Sequence, residues 1–184
     1  MRGMTASQPP RKRCFDPVVD QRTRLLLLGS LPGEQSLALQ QYYGNGQNKF
    51  WELLGAVIDV NLRALSYDER LTTLLARGIG LWDVIAEAER PGSLDASIRN
   101  ATHNGLADLV ATLPHLRAIG FNGGTSARQG RRQLKHLADR LALVDLPSSS
   151  PAYTLAFSQK QRAWAQLGTH LDQTLSRPRK PLAA

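Results

Sequence analysis

The sequence predicts an α/β fold, a three-layer sandwich with a central, mainly parallel four-stranded sheet flanked by helices. Three observations predict it. Short apolar runs alternate with amphipathic stretches along the chain, as in successive strand–helix–strand units. The runs are apolar throughout rather than alternating, which suits strands covered on both faces. Each run ends on a Gly, Asp, Asn or Pro that opens a polar, irregular segment.

Residues 1–22 read as a flexible, basic lead with Pro9-Pro10 and the cluster Arg11, Lys12, Arg13. Arg24 to Leu28, closed by Gly29, is the first buried strand. The stretch from Gly29 to Gln47 carries Pro32, Gly33, Gly44 and Gly46, and only Gln35 to Gln41 has room for a helical turn or two. A loop of this length inside a compact domain is commonly functional. Asn48 is an N-cap candidate, after which Phe50, Leu53, Leu54, Val57 and Ile58 repeat at helical spacing. Tyr67 to Arg77 is the next helix, stopped by Gly78, and Ile79 to Val84 the second strand. Leu106 to Leu113 is a short helix ended by Pro114, and Leu116 to Phe121 is the third strand. A basic helix over about 126–141 follows Asn122-Gly123-Gly124. Leu143 to Leu146 is the fourth strand, and Ser158 is read as the cap of a last helix reaching Leu175. These elements make one domain over residues 23–175, with 176–184 a flexible basic tail.

Composition narrows the function classes. With 184 residues, 42% hydrophobic and 21% charged, the chain suits one ordinary globular domain. Its longest apolar run, Leu25 to Leu28, is far below the ~20 residues of a membrane span. The polar, basic start lacks the apolar core of a secretory signal. A cytoplasmic monomer without a membrane partner is therefore expected. Cys14 is the only cysteine, which excludes an internal disulfide and a Cys-ligated cluster. His103, His115, His136 and His170 show no ligand-pair spacing, so neither metal nor cofactor is expected. Of the net charge of +8, seven charges sit on Arg2, Arg11, Lys12, Arg13, Arg177, Arg179 and Lys180. The expected attraction for a polyanion therefore lies in the ends of the chain.

In an open α/β sheet, ligands bind beyond the carboxyl ends of the strands. Four segments fall there: Gly29–Asn48, Asp83–Ile98, Asn122–Thr125 and Pro147–Tyr153. The first is neither a Walker loop nor a dinucleotide fingerprint, because the required glycine frames are absent. Tyr42 and Tyr43 beside Gly44 either anchor the loop or offer a ring for stacking on a base. Asn48 is either a helix cap or a catalytic amide where the helix dipole favours developing negative charge. Asp83 either caps a following helix or reaches the pocket, where a carboxylate would select an N–H edge. Ser93 and Asp95, in PGSLDASIR, read as a second cap. Ser148, Ser149 and Ser150, pinned between Pro147 and Pro151, form a hydroxyl-rich loop suited to phosphate or to a plain linker. No G-x-S-x-G elbow supports a catalytic serine.

GSLPG, QYYGN and NKFW at this spacing resemble the first motif of the mismatch-specific uracil-DNA glycosylases. With GLWDV, PGSLDASI, FNG and LPSSSP in order, residues 23 to 175 are most similar to the hypoxanthine-DNA (deoxyinosine) glycosylase branch of the uracil-DNA glycosylase superfamily. The resemblance implies a cofactor-free enzyme that excises a deaminated base from DNA in base excision repair, with DNA as its partner. By position, Tyr43 matches the ring that stacks on the flipped base and Asn48 the asparagine associated with catalysis. Asp83 falls where other branches place a base-reading side chain, and Ser30, Leu31 and Asn122 complete the implied pocket. Ser148, Ser149 and Ser150 match the DNA-contacting loop. Uracil-excising relatives carry Asn or Asp in the region of Ser30-Leu31, and some carry His at Leu146. Both departures imply a preference for hypoxanthine over uracil. The alternatives are a non-catalytic nucleic-acid-binding module of the same fold and an α/β enzyme acting on free nucleosides.

Overall fold

The computed structural model describes residues 10–171. Its centre is a parallel four-stranded sheet of β2 (Leu25–Gly29), β3 (Ile79–Asp83), β6 (Ala118–Asn122) and β7 (Ala142–Leu146), in the order β3-β2-β6-β7. Side chains alternate along each strand, so an all-leucine strand serves two cores at once. Leu25 and Leu27 face α2 (Phe50–Ile58), α3 (Tyr67–Ala76) and α6 (Phe157–Trp164), where Phe50, Trp51, Leu74 and Trp164 are fully or almost fully buried. Leu26 and Leu28 face the opposite layer, with Leu106 of α4 (Leu106–Ala111) and Leu134 of α5 (Gly124–Leu134). Each such side chain contributes roughly 1.5–3 kcal/mol by leaving water. This is the predicted three-layer sandwich.

A second sheet was not expected. β1 (Arg11–Arg13), β4 (Ile85–Glu89) and β5 (Arg99–His103) form an antiparallel sheet in the order β1-β4-β5. The flexible lead expected over residues 1–22 is thus corrected for residues 10–22. Arg11 pairs with Glu87 at 3.0 Å and Lys12 with Glu34 at 3.0 Å, while Val18 bridges Leu81. Those cations are neutralised within the fold and are not free to attract phosphate. Residues 1–9 and 172–184, which hold Arg2 and the predicted basic tail, lie outside the described residues.

Helix boundaries also differ, and the last helix, expected to reach Leu175, ends at Trp164 and continues as a 3-10 helix over Ala165–His170. Ser158 lies inside α6, whose N-cap is Ala156, so it is not the cap. The basic helix ends at Leu134 and continues as a 3-10 turn over Lys135–Leu137. The segment Glu34–Leu39 is a short helix, α1, in the stretch where a turn or two had room. No described helix is long and apolar enough to cross a membrane.

Candidate active site

Strand parity decides which side chains meet at the carboxyl edge of the sheet. Gly29 continues the face of Leu25 and Leu27, and Asp83 the face of Ile79 and Leu81. The two are ladder neighbours, Gly29 beside Asp83. Asn122 ends β6 beside Leu146 of β7, on the same face. A row therefore crosses the sheet: Asp83, Gly29, Asn122, Leu146. Tyr43 and Asn48, from the segment before α2, join this row around a cleft of about 510 Å³, a size ordinary for ligand sites.

The floor is polar and buried. Asp83 is only 4% exposed, and its Oδ2 has no hydrogen-bond partner among the described residues. Burial pushes its carboxyl up to about 7, the Asp95 carboxylate adds to the shift and the Arg90 guanidinium opposes it. The predicted alternative of a helix cap is corrected, because β4, not a helix, follows Asp83. Tyr43 stacks on Phe50 with ring centroids 3.7 Å apart, in a left-handed backbone conformation at φ 53°. Such a conformation in a bulky residue is a recognised mark of functional segments. Burial first, then the Asp83 carboxyl, pushes the pKa of its hydroxyl up, and that hydroxyl also has no hydrogen-bond partner among the described residues. Asn122 stands close enough to ease that shift, but its amide is committed to Ser149. Only a glycine fits between these groups. A methyl group on Gly29 would stand 2.5 Å from Asp83 Oδ1 and 3.0 Å from the Tyr43 hydroxyl.

Asn48 is oriented by the helix it precedes. The α2 N-cap is Lys49, one residue later than expected, yet Asn48 Oδ1 accepts the Phe50 N–H at 2.9 Å. An N–H needs an acceptor, so the amide oxygen must face the helix. Its Nδ2 makes no hydrogen bond among the described residues, and Asn48 lines the cleft. The cap and the free amide donor, read as alternatives from the sequence, coexist.

The walls are clamped by side chains from distant elements. Arg90 is buried and donates to the carbonyl oxygens of Leu31 at 3.2 Å, Pro32, and Gly92 at 3.2 Å. It also lies 3.8 Å from Asp95, whose Oδ1 accepts from Ser30 at 2.7 Å. Ser93 accepts the Glu34 N–H at 3.0 Å and so supports α1; the 3-10 turn over Asp95–Ser97 has Leu94 at its N-cap and no side-chain cap, so Ser93 and Asp95 are not the expected cap. Leu31 packs in the core with Leu28 and Val84, and Leu146 packs in the other core. On the opposite wall, Asn122 donates to Ser149 Oγ at 2.8 Å and accepts the Ser149 N–H at 2.9 Å. Trp164 and Lys160 hold the carbonyls of Pro147 and Ser150 at 3.0 and 3.1 Å.

Of the predicted site residues, Ser30, Leu31, Tyr43, Asn48, Asp83, Asn122, Ser148, Ser149 and Ser150 all line this one cleft. Their roles divide. Ser149 is fully buried and held by Asn122, which corrects it from a DNA-contacting side chain to a structural one. Sequence reasoning missed Arg90 and the two exposed apolar side chains at the cleft, Leu94 and Tyr153. The arginine carried no signal of its role at the cleft, because the Leu31 and Pro32 carbonyls it holds lie 59 and 58 residues away. Among the described residues, no group of three or more His, Cys, Asp or Glu is placed to hold a metal ion.

Comparison with known proteins points one way. The model of the uracil DNA glycosylase superfamily matches residues 17–168. A hypoxanthine DNA glycosylase of Methanosarcina acetivorans is 38% identical over 86% of this chain and 99% of its own. One from Methanosarcina barkeri is 36% identical over 85% and 97%. The solution NMR structure of a proposed uracil DNA glycosylase from Methanosarcina acetivorans superposes with a TM-score of 0.78. It is 37% identical and covers 88% of this chain and 98% of that one. The fold, the order of the motifs and these matches agree: the chain belongs to the uracil DNA glycosylase superfamily.

Proposed function

We propose that this protein is a monofunctional DNA glycosylase that hydrolyses the bond between a deaminated base and its deoxyribose, with hypoxanthine preferred over uracil. One observation carries the reading: the cleft at the sheet edge gathers a stacked aromatic, an amide donor and a buried carboxyl whose Oδ2 has no partner among the described residues. The relatives named hypoxanthine DNA glycosylase, aligned over nearly their whole length, support it. Cleavage of an N-glycosidic bond builds positive charge on the sugar and negative charge on the leaving base. The Asn48 Nδ2 donor, fixed by its cap, stabilises that charge or orients the attacking water. As a neutral amide it does not act as a general base. Leu31 offers no polar group where uracil-excising relatives hold Asn or Asp, which disfavours uracil. Leu94 and Tyr153 present apolar surface at the mouth, suited to the gap a flipped nucleotide leaves.

The test is base release from matched oligonucleotides carrying hypoxanthine, uracil, xanthine or thymine, with free inosine as control and with chelator present. Hypoxanthine should be released fastest, and Asn48→Ala should slow it by about 10²-fold or more. Faster uracil release overturns the preference. Release from free inosine alone favours a nucleoside enzyme, and DNA binding without any release favours a non-catalytic module.

A further inference from the structure

We infer that Asp83 reads the base as a neutral carboxylic acid, accepting from the ring N–H with one oxygen and donating to the adjacent carbonyl with the other. The inference rests on the glycosylase reading and specifies the chemical class that the floor accepts: a base with a lactam edge, N–H beside C=O. An ionised carboxylate can only accept, so it would meet the N–H and repel the carbonyl oxygen. The neutral acid satisfies both. Hypoxanthine and uracil share this edge, so Asp83 sets the class and leaves the choice between them to cavity shape and to Leu31.

The geometry supports this protonation state. Asp83 lies over the bare Cα of Gly29 at the end of β3, and no described N–H donates to its side chain. The groups around it come from every neighbouring element. Tyr42 and Tyr43 precede α2, and Cys14 follows β1; burial pushes the pKa of all three up, so they stay neutral. Asp95, from the turn after β4, disfavours a second negative charge. Arg90 favours it, but its N–H groups are directed at the carbonyls of Leu31, Pro32 and Gly92. Desolvation outweighs that one attraction. A buried polar atom left without a partner is unfavourable, and a lactam edge arriving from the cleft satisfies it.

Three measurements test it. In the free protein, the Asp83 carboxyl, followed by carbon-13 NMR, should titrate near neutrality; a midpoint in the ordinary carboxylate range overturns the inference. Next, hypoxanthine release from an inosine oligonucleotide is followed under single turnover from about pH 5 to about pH 9. The wild-type rate should fall about tenfold per pH unit above neutrality. Asp83→Asn, an amide with the same donor–acceptor pair, should stay within about tenfold of the wild type at low pH and lose the alkaline fall. Asp83→Ala should be about 10²-fold slower than the wild type at low pH and should also lose the alkaline fall. An Asn variant as slow as the Ala variant, or one that keeps the alkaline fall, overturns the inference. A wild type that releases no base from any oligonucleotide overturns the glycosylase reading instead. Binding of free hypoxanthine then decides the inference: it should weaken above neutrality in the wild type and stay constant in Asp83→Asn, and a pH-independent wild type overturns it.

Discussion

At the rim of the cleft, Arg90 holds three carbonyl oxygens and Asn122 grips both the hydroxyl and the amide of Ser149. At the floor, Asp83 Oδ2 and Tyr43 Oη are equally buried but have no partner among the described residues. The chemistry of the groups is similar; what differs is who satisfies them. A buried polar group with a protein partner stabilises and positions, whereas one without a partner costs stability and is kept for what a ligand supplies. Rim substitutions should therefore cost stability first, and floor substitutions should cost activity while leaving stability equal or better.

The largest effect is expected at Arg90. Arg90→Ala strands three carbonyls and leaves Asp95 with Ser30 alone, and denaturant unfolding should show a loss of about 3–5 kcal/mol. A loss under about 1 kcal/mol would break the comparison, because the turn would then stand without its clamp. Asp83→Asn should act oppositely. The folded protein holds the Asp83 proton more tightly than the unfolded chain, so wild-type stability falls as pH rises from about 3.8 to about 7 and then levels. An amide does not titrate, so the variant should gain on the wild type across that window and remain a few kcal/mol ahead above it. Thermal melting at several pH values measures this, and a constant gap at all pH values would count against a raised Asp83.

Asn122→Ala should cost about 1–2 kcal/mol by freeing the Ser149 loop, with a larger rise in KM than fall in kcat. An equal fall in kcat with unchanged KM would move Asn122 from the rim to the chemistry. The smallest change is expected from Tyr43→Phe. Deleting an unpartnered hydroxyl while keeping the ring stacked on Phe50 should shift stability by less than about 0.5 kcal/mol, in the stabilising direction. A marked destabilisation would mean that the hydroxyl is bonded after all.

The main sheet was legible because its signals are local. Four short apolar runs with glycine, aspartate, asparagine or proline at their ends mark strands of a covered sheet, three of them buried along almost their whole length. The same end residues located the cleft, because a parallel sheet places all carboxyl ends on one edge. Asn48 was legible for a related reason: its place before an amphipathic run orients its oxygen toward the helix.

Only the tertiary structure decided the second sheet and the division of polar groups between rim and floor. RKR has no β-branched or aromatic residue, and IAEAE and RNATH have one β-branched residue each, Ile85 and Thr102, too few for autonomous strands. They become strands by pairing across long separations, with Arg11 and Glu87 76 residues apart. Likewise nothing near Arg90 in sequence reveals that it grips Leu31 and Pro32, nor that Asp83, one strand away from Gly29, lacks a partner. Local periodicity determines which segments are strands, helices and loops; whether a buried polar group is satisfied depends on where distant residues arrive, and packing sets that.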